Sequence, residues 1–184
     1  MILNKSLIIF LLCSLIGLGV ICCLSPHVKE MPNLAKRIEI PGVANAAEVS
    51  KNLYRGAAPN DKGVESMKKL GIKAIIDLRT TSEYKEKAEA LEIRYFSMPF
   101  HQWENPSEEM VRKYFSIISD PENQPVFIHC REGKDRTGTM IALYRIQYEN
   151  WSNEDALNEA FFFGLHKIYS NLKKFILEYK PSKE

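Results

Sequence analysis

Cys130 and Arg136 are the two residues whose types and spacing best suit chemistry. Five residues separate them, and they lie between an apolar run at 125–128, which predicts a buried strand, and a run at 139–144, which predicts a helix. A loop in that place can direct its backbone N–H groups to one point at the positive end of the helix. A phosphate dianion fits there, with Arg136 as a bidentate ligand, and the same field favours the nucleophilic thiolate of Cys130. The spacing therefore predicts attack by a thiolate on a phosphate ester.

The residues between Cys130 and Arg136 complete a predicted phosphate-binding loop. They are Arg131, Glu132, Gly133, Lys134 and Asp135. Gly133 is expected to supply a backbone geometry that other residues resist. Arg131 and Lys134 leave two alternatives open, because they are either solvated charges offset by Glu132 and Asp135 or ligands of a substrate with more than one phosphate.

The sequence around this loop resembles a known family. The segment 129–138, His-Cys-x5-Arg-Thr-Gly, is similar to the active-site loop of the cysteine-dependent phosphatases, the protein tyrosine and dual-specificity superfamily. The segments 52–56, 70–79 and 148–152 resemble small bacterial dual-specificity-like phosphatases, so the resemblance covers residues 51–180. It implies the dual-specificity fold, a phosphocysteine intermediate, and catalysis without a metal or another cofactor.

The resemblance also implies roles for further residues. In the family, a hydroxyl after the arginine hydrogen-bonds the thiolate that leaves when the phosphocysteine breaks down, which gives Thr137 that role unless it is an ordinary first-turn hydroxyl. The family usually carries its general acid as an Asp on a separate loop, but residues 98–111 contain no Asp. Glu104 occupies the corresponding place and is the first candidate for the acid. The alternatives are Asp135, which resembles an Asp in some lipid-phosphate and bacterial relatives, His101, or no dedicated acid.

The predicted activity is hydrolysis of phosphomonoesters, most simply by a protein tyrosine or dual-specificity phosphatase. The substrate is then a phosphorylated protein, with a phosphoinositide or inositol phosphate as the alternative. A catalytically impaired pseudophosphatase that only binds phosphate is the third possibility. A net charge of +2 gives no global field that would attract nucleic acid. The catalytic domain is expected to be monomeric.

Predicted strands and helices alternate from residue 51 onward, which indicates an α/β domain with a mainly parallel central sheet flanked by helices. The predicted strands span 73–78, 94–98 and 125–129. The predicted helices span 61–70, 82–91, 107–119, 136–150, 153–163 and 167–179. In such a fold, anions bind beyond the carboxyl ends of the strands, where the Cys130 loop would lie. Arg55, Asp77 and Arg79 lie near strand ends and form either a structural ion-pair network behind the loop or contacts to substrate.

The first fifty residues differ in composition from the rest. The run 7–24 is apolar and uncharged, and about 18 residues is the lower range for a membrane-spanning helix. Residues 1–24 therefore predict an apolar helix that is an uncleaved signal-anchor or a cleaved signal peptide. The catalytic domain, residues 51–180, would be membrane-anchored or exported, with the extracytoplasmic side favoured and the orientation left open. Residues 25–50 contain three prolines and predict a linker with one short strand, Arg37-Ile38-Glu39-Ile40.

Overall fold

The structure is a computed structural model that describes residues 33–81 and 83–182. The described residues form the strands β1 (Lys36–Arg37), β2 (Ala47–Ser50), β3 (Leu53–Ala57), β4 (Ala74–Asp77), β5 (Arg94–Ser97) and β6 (Val126–Cys130). They also form the helices α1 (Asp61–Lys69), α2 (Lys85–Ala90), α3 (Glu108–Ser119), α4 (Asp135–Glu149), α5 (Asn153–Phe162) and α6 (Ser170–Glu178), with one 3₁₀ turn at Pro121–Asn123.

The strands make one mixed sheet in the order β1-β2-β3-β6-β4-β5. The four strands β3, β6, β4 and β5 are parallel to one another, and β1 and β2 add an antiparallel edge next to β3. The predicted α/β fold with a mainly parallel sheet is confirmed. Because the four parallel strands end at the same edge of the sheet, the residues that follow them converge there.

Helices cover both faces of the parallel strands. Ile75 of β4 and Phe127 of β6 pack in one apolar cluster with side chains of α1 and α2. Their neighbours Ile76 and Ile128 pack in a second cluster with side chains of α3 and α4. All four side chains are fully buried, as alternate residues of a strand covered on both faces should be. The two clusters fix β6 in the centre of the domain.

Side chains cap several helices but leave the start of α4 open. Asn60 accepts a hydrogen bond from the Gly63 N–H at 3.0 Å at the start of α1, and Ser107 accepts one from the Met110 N–H at 3.2 Å at the start of α3. At the start of α4, the Lys134 side chain makes no such bond. The first N–H groups of α4 are therefore not used by a side-chain cap and can serve an anion.

The predicted linker is wrong in its second part. Residues from 33 onward belong to the folded domain, since β1 and β2 are strands of the central sheet and Ile40, Ala47 and Val49 are buried in its clusters. The short strand predicted at 37–40 is wrong in its bounds, since the observed strand is Lys36–Arg37 and Ile40 makes only an isolated bridge. The apolar run 7–24 lies outside the described residues. Within 33–81 and 83–182, no helix has the length and apolarity needed to cross a membrane.

Candidate active site

Cys130 is the last residue of β6, the strand between β3 and β4. Its side chain is buried, and α4 begins five residues later at Asp135. The intervening loop is joined to the neighbouring strand by a hydrogen bond from the Ala58 N–H to the Arg131 carbonyl at 3.2 Å. A thiol thus lies at the carboxyl end of the central strand, directly before the positive end of a helix.

The loop requires glycine at position 133. Gly133 has a φ of +67°, which side chains rarely adopt, and a Cβ atom there would lie 2.3 Å from the Gly56 carbonyl carbon. The Gly133 carbonyl accepts hydrogen bonds from Arg55 Nη2 at 2.6 Å and from Asn45 Nδ2 at 3.0 Å. Asn45 itself has a φ of +52°, and the sequence analysis did not identify it. Two side chains from distant parts of the chain therefore hold the loop by one carbonyl.

Arg136 joins the loop to two neighbouring strand ends. Its Nη1 donates to the Leu78 carbonyl at 3.0 Å and to the Phe100 carbonyl at 3.2 Å, just beyond β4 and β5. Among the described residues, no acceptor is paired with its Nε or Nη2. Those two N–H groups are the ones that a planar guanidinium offers to a bidentate oxyanion.

A buried polar network lies behind the loop. His129 is fully buried, its Nε2 contacts the Tyr84 hydroxyl, and its Nδ1 lies 3.1 Å from the Cys130 carbonyl oxygen. Burial lowers the pKa of His129 to about 4, so the ring is neutral near pH 7 and is too weak a base to take up a proton there.

Asp77 is the carboxylate of the same network. Burial raises its pKa, but the charge of His129 and hydrogen bonds from Arg79 and Tyr95 outweigh that effect and lower it overall. Because His129 is neutral near pH 7, the Arg79 and Tyr95 bonds, the latter at 2.5 Å, are the contacts that hold the charge of Asp77 there. Asp77 and Arg79 thus form a structural ion pair at 3.0 Å.

The charged side chains of the loop are paired with one another or with its surroundings. The Glu132 carboxylate contacts Arg131 and Lys134, each at 3.0 Å, and hydrogen bonds from these two cations lower its pKa. The Asp135 carboxylate accepts hydrogen bonds from the His166 backbone N–H at 2.8 Å and from the His166 ring at 3.0 Å. His166 lies between α5 and α6 and was not singled out from the sequence, which contains no local pattern that links it to Asp135.

The loop that carries Glu104 lies next to the Cys130 loop, because Arg136 is bonded to Phe100 at its start. Glu104 is exposed, and its backbone N–H closes a turn onto the His101 carbonyl at 2.9 Å. Trp103 is 60% exposed and meets the Tyr169 ring edge-on at 4.7 Å. The structure therefore places Glu104 and His101 on a separate loop whose start, Phe100, contacts Arg136, whereas Asp135 lies at the start of α4.

Thr137 is the remaining predicted site residue. It is fully buried in the first turn of α4, and its hydroxyl has no hydrogen-bond partner among the described residues. A buried hydroxyl without a partner is uncommon in folded proteins, so this one is available as a donor within the site.

A family model described as "DSP-PTPase phosphatase fused to NAD+ Kinase" matches residues 26–171 of the chain. The chain belongs to this phosphatase family. The predicted resemblance to the cysteine-dependent dual-specificity phosphatases is thereby confirmed. The match also begins before residue 51, in agreement with the strands observed there.

Two curated relatives have related names. Dual specificity protein phosphatase TpbA of Pseudomonas aeruginosa is 29% identical over 115 residues, which are 62% of this chain but only 52% of TpbA. This chain thus matches TpbA over about half of its length. Probable tyrosine-protein phosphatase DG1060 of Dictyostelium discoideum is 30% identical over 139 residues, covering 72% of this chain and 83% of DG1060.

Solved structures of the same fold are similar to the domain. The crystal structure of TpbA aligns with a TM-score of 0.70 at 24% identity, covering 81% of this chain and 92% of that one, and at this identity it shows the fold. The core catalytic domain of PP-IP phosphatase SIW14 from S. cerevisiae aligns with a TM-score of 0.66 at 26% identity, covering 74% of this chain and 85% of that one.

Proposed function

We propose that this protein is a phosphomonoester hydrolase that works through a phosphocysteine at Cys130. The observation that carries the proposal is the position of that thiol at the end of the central strand, before a loop bent at Gly133 and the open N-terminus of α4. Arg136 follows in the first turn of the helix with two N–H groups free of acceptors in the described residues. Membership of the phosphatase family supports the same chemistry.

In the first step, the Cys130 thiolate attacks phosphorus, and the S–P bond forms as the P–O bond to the leaving group breaks. Arg136 and the loop N–H groups hold the three non-bridging oxygens. The leaving oxygen takes a proton from the general acid, for which Glu104 is the first candidate and Asp135 the second.

In the second step, water attacks the phosphocysteine, the S–P bond breaks, and inorganic phosphate leaves. The attacking water gives its proton to the carboxylate that acted as the acid. Cys130 leaves as a thiolate, and a hydrogen-bond donor beside it lowers the barrier. The buried Thr137 hydroxyl, which has no partner in the described part of the chain, is our candidate for this donor.

We propose a phosphorylated protein as the substrate. The group removed is then the phosphate of phosphotyrosine alone, or of both phosphotyrosine and phosphoserine or phosphothreonine. Glu132 pairs with Arg131 and Lys134, which supports a site for one phosphoryl group rather than several. The second candidate is an inositol phosphate, favoured by the likeness to SIW14, which is described as a PP-IP phosphatase. Rates on a phosphotyrosyl peptide, a phosphoseryl peptide and inositol polyphosphates decide between the two, because each candidate predicts a different preferred substrate.

The reaction itself is tested with Cys130→Ser. The variant is expected to lose turnover of an aryl phosphate while it still binds inorganic phosphate, because Arg136 and the loop amides remain. Turnover near the wild-type rate in this variant would exclude the covalent mechanism. No turnover by the wild-type protein, with phosphate binding intact, would indicate a pseudophosphatase.

We also propose that the apolar segment 7–24 anchors the domain to a membrane or directs its export. The support is the uncharged apolar sequence itself. An anchored protein stays in the membrane fraction after a high-salt wash and retains the mass of its N-terminus. A protein that is soluble and full-length after fractionation contradicts both forms of the proposal.

A further inference from the structure

Arg55 is a fully buried cation on the same face of the sheet as the Cys130 side chain. It pairs in register with Ile128, and residues two apart on β6 point to the same face. Its Nη2 donates to the Gly133 carbonyl at 2.6 Å, and its guanidinium carbon lies 4.1 Å from the centroid of the Phe163 ring. The cation therefore touches the loop from the protein side, opposite to the solvent.

Arg55 has no carboxylate partner among the described residues. Its Nε and Nη1 are buried without a hydrogen-bond acceptor. Glu159 is the acidic residue whose charge acts most strongly on Arg55. Both of its oxygens already accept hydrogen bonds from Arg145, at 2.8 and 2.9 Å, and one of them also accepts from the Ala35 N–H. A buried cation without a counter-ion lowers the stability of the fold, and buried arginines are therefore usually paired with a carboxylate, as Arg145 is with Glu159.

The ionisation of Arg55 points to the missing partner. Burial is the largest effect and lowers the pKa of Arg55 to about 10, while attraction to Glu159 and then to Cys130 opposes it. The side chain is thus still charged near pH 7, and a negative charge on Cys130 is one of the two that favour the charged form of Arg55. A phosphate bound in the same loop adds a second anion at that place.

We infer that Arg55 is a positioning residue whose counter-ion is the anion of the active site. Its charge favours the Cys130 thiolate and a bound phosphate, and its hydrogen bond to Gly133 keeps the loop amides turned inward. The inference rests on the proposed function, because it assigns Arg55 to the same reaction. In the absence of an oxyanion, Arg55 weakens the fold, and an oxyanion in the loop reverses that effect.

The test compares the full-length protein with its Arg55→Met and Arg145→Met variants by thermal unfolding, with and without inorganic phosphate. Methionine has a similar length and no polar atom to leave unpaired, and Asn45 still donates to the Gly133 carbonyl. Arg55→Met is expected to melt at or above the wild-type temperature without phosphate, and to lose most of the upward shift that phosphate gives the wild type. Arg145→Met is expected to melt lower, because it leaves Glu159 without its partner.

The second readout is the alkylation of Cys130 by iodoacetamide as a function of pH, followed on the Cys130 peptide by mass spectrometry. Only the thiolate reacts, so loss of the Arg55 charge moves the midpoint upward by about one pH unit, a tenfold slower reaction at lower pH. Arg55→Lys restores the charge and is expected to restore the midpoint. A merely structural role would change the rate at every pH without moving the midpoint.

Two results would overturn the inference: an Arg55→Met variant that melts well below the wild type without phosphate, or one that keeps both the phosphate shift and the alkylation midpoint. Neither readout needs turnover. A wild-type protein that hydrolyses no phosphate ester but shows both Arg55 effects would refute the proposed function and leave this inference intact.

Discussion

His129 is expected to make the fold sensitive to acid in a defined pH window. The ring is fully buried, and a tautomer with the proton on Nδ1 satisfies both of its contacts, because Nδ1 then donates to the Cys130 carbonyl and Nε2 accepts from Tyr84. A second proton would place a charge in this fully buried site. Protonation therefore opposes folding.

The magnitude follows from the pKa of His129, which burial lowers from 6.5 to about 4. Because the folded pKa lies below the unfolded one, the stability that the neutral ring provides is fully present above about pH 6.5 and is lost as the pH falls toward 4. One proton gives a slope of about 1.4 kcal/mol per pH unit, and the loss over the window is about 3 kcal/mol. That is a large share of the roughly 5–15 kcal/mol that holds a domain folded. Asp77 does not confuse the measurement, since its pKa is lowered from 3.8 and it titrates below the window.

The assay is urea unfolding of the wild type, His129→Gln and the control His101→Gln at several pH values between 7 and 4.5. His129→Gln is expected to lose stability at pH 7, but the deciding quantity is the slope of the unfolding free energy against pH. Between pH 6 and 5, that slope should be smaller than the wild-type slope by about 1.2 kcal/mol per pH unit, because the proton is not fully taken up by the unfolded chain or fully excluded from the folded one. His101 is exposed, so its variant should keep the wild-type slope. A His129→Gln variant with the wild-type slope would refute the reasoning.

Two further predictions concern the loop and the acid. Glu104→Gln should slow hydrolysis of phosphotyrosine or an alkyl phosphate by about 100-fold or more, and hydrolysis of an activated aryl phosphate only mildly. Asp135→Asn should slow hydrolysis of all these substrates alike. Measurement of kcat on a series of leaving groups tests this, and the reverse pattern would make Asp135 the acid. Gly133→Ala should remove activity and lower the melting temperature, because its Cβ would lie 2.3 Å from the Gly56 carbonyl carbon. The control Gly71→Ala has the same sign of φ and nothing within 4 Å, so it should lower the free energy of unfolding by only about 1 kcal/mol. Equal losses of stability in the two variants would contradict the role of close contact.

Elements with a local pattern were predictable from the sequence. The helix predicted at 107–119 is observed at Glu108–Ser119 with Ser107 as its cap, because an N-cap residue and an amphipathic period lie within one segment. β6 was equally clear, since a short apolar run without charge suits a strand covered on both faces. In both cases, the information that determines the element lies in the element itself.

β2 and β3 were missed because their information lies elsewhere. β3 reads Leu-Tyr-Arg-Gly-Ala, and a charged residue and a glycine in its middle weaken any strand pattern. It becomes a strand because β6 pairs with it along its whole length. β2 in turn pairs with β3, which makes Ala47–Ser50, part of the predicted linker, a strand of the sheet.

The supports of the catalytic loop were hidden for a similar reason. Cys130 and Arg136 are recognisable from the sequence because only five residues separate them. Asn45 is 88 residues from Gly133, and His166 is 31 residues from Asp135. No periodicity connects such pairs, so only the fold brings them together.

The general acid is the point at which the structure adds most to the sequence. A carboxyl group that hands a proton to a leaving oxygen needs an oxygen free to face it. The Asp135 carboxylate is already hydrogen-bonded to His166. Its Oδ1 accepts from the His166 backbone N–H, and the His166 ring lies within hydrogen-bond distance of both of its oxygens. Glu104 is exposed, and no described residue donates to its side chain, while Arg136 anchors the base of its loop through the Phe100 carbonyl. The same guanidinium that would bind the phosphate therefore also contacts the start of the loop that carries Glu104, and these contacts support Glu104 ahead of Asp135 as the acid of the proposed mechanism.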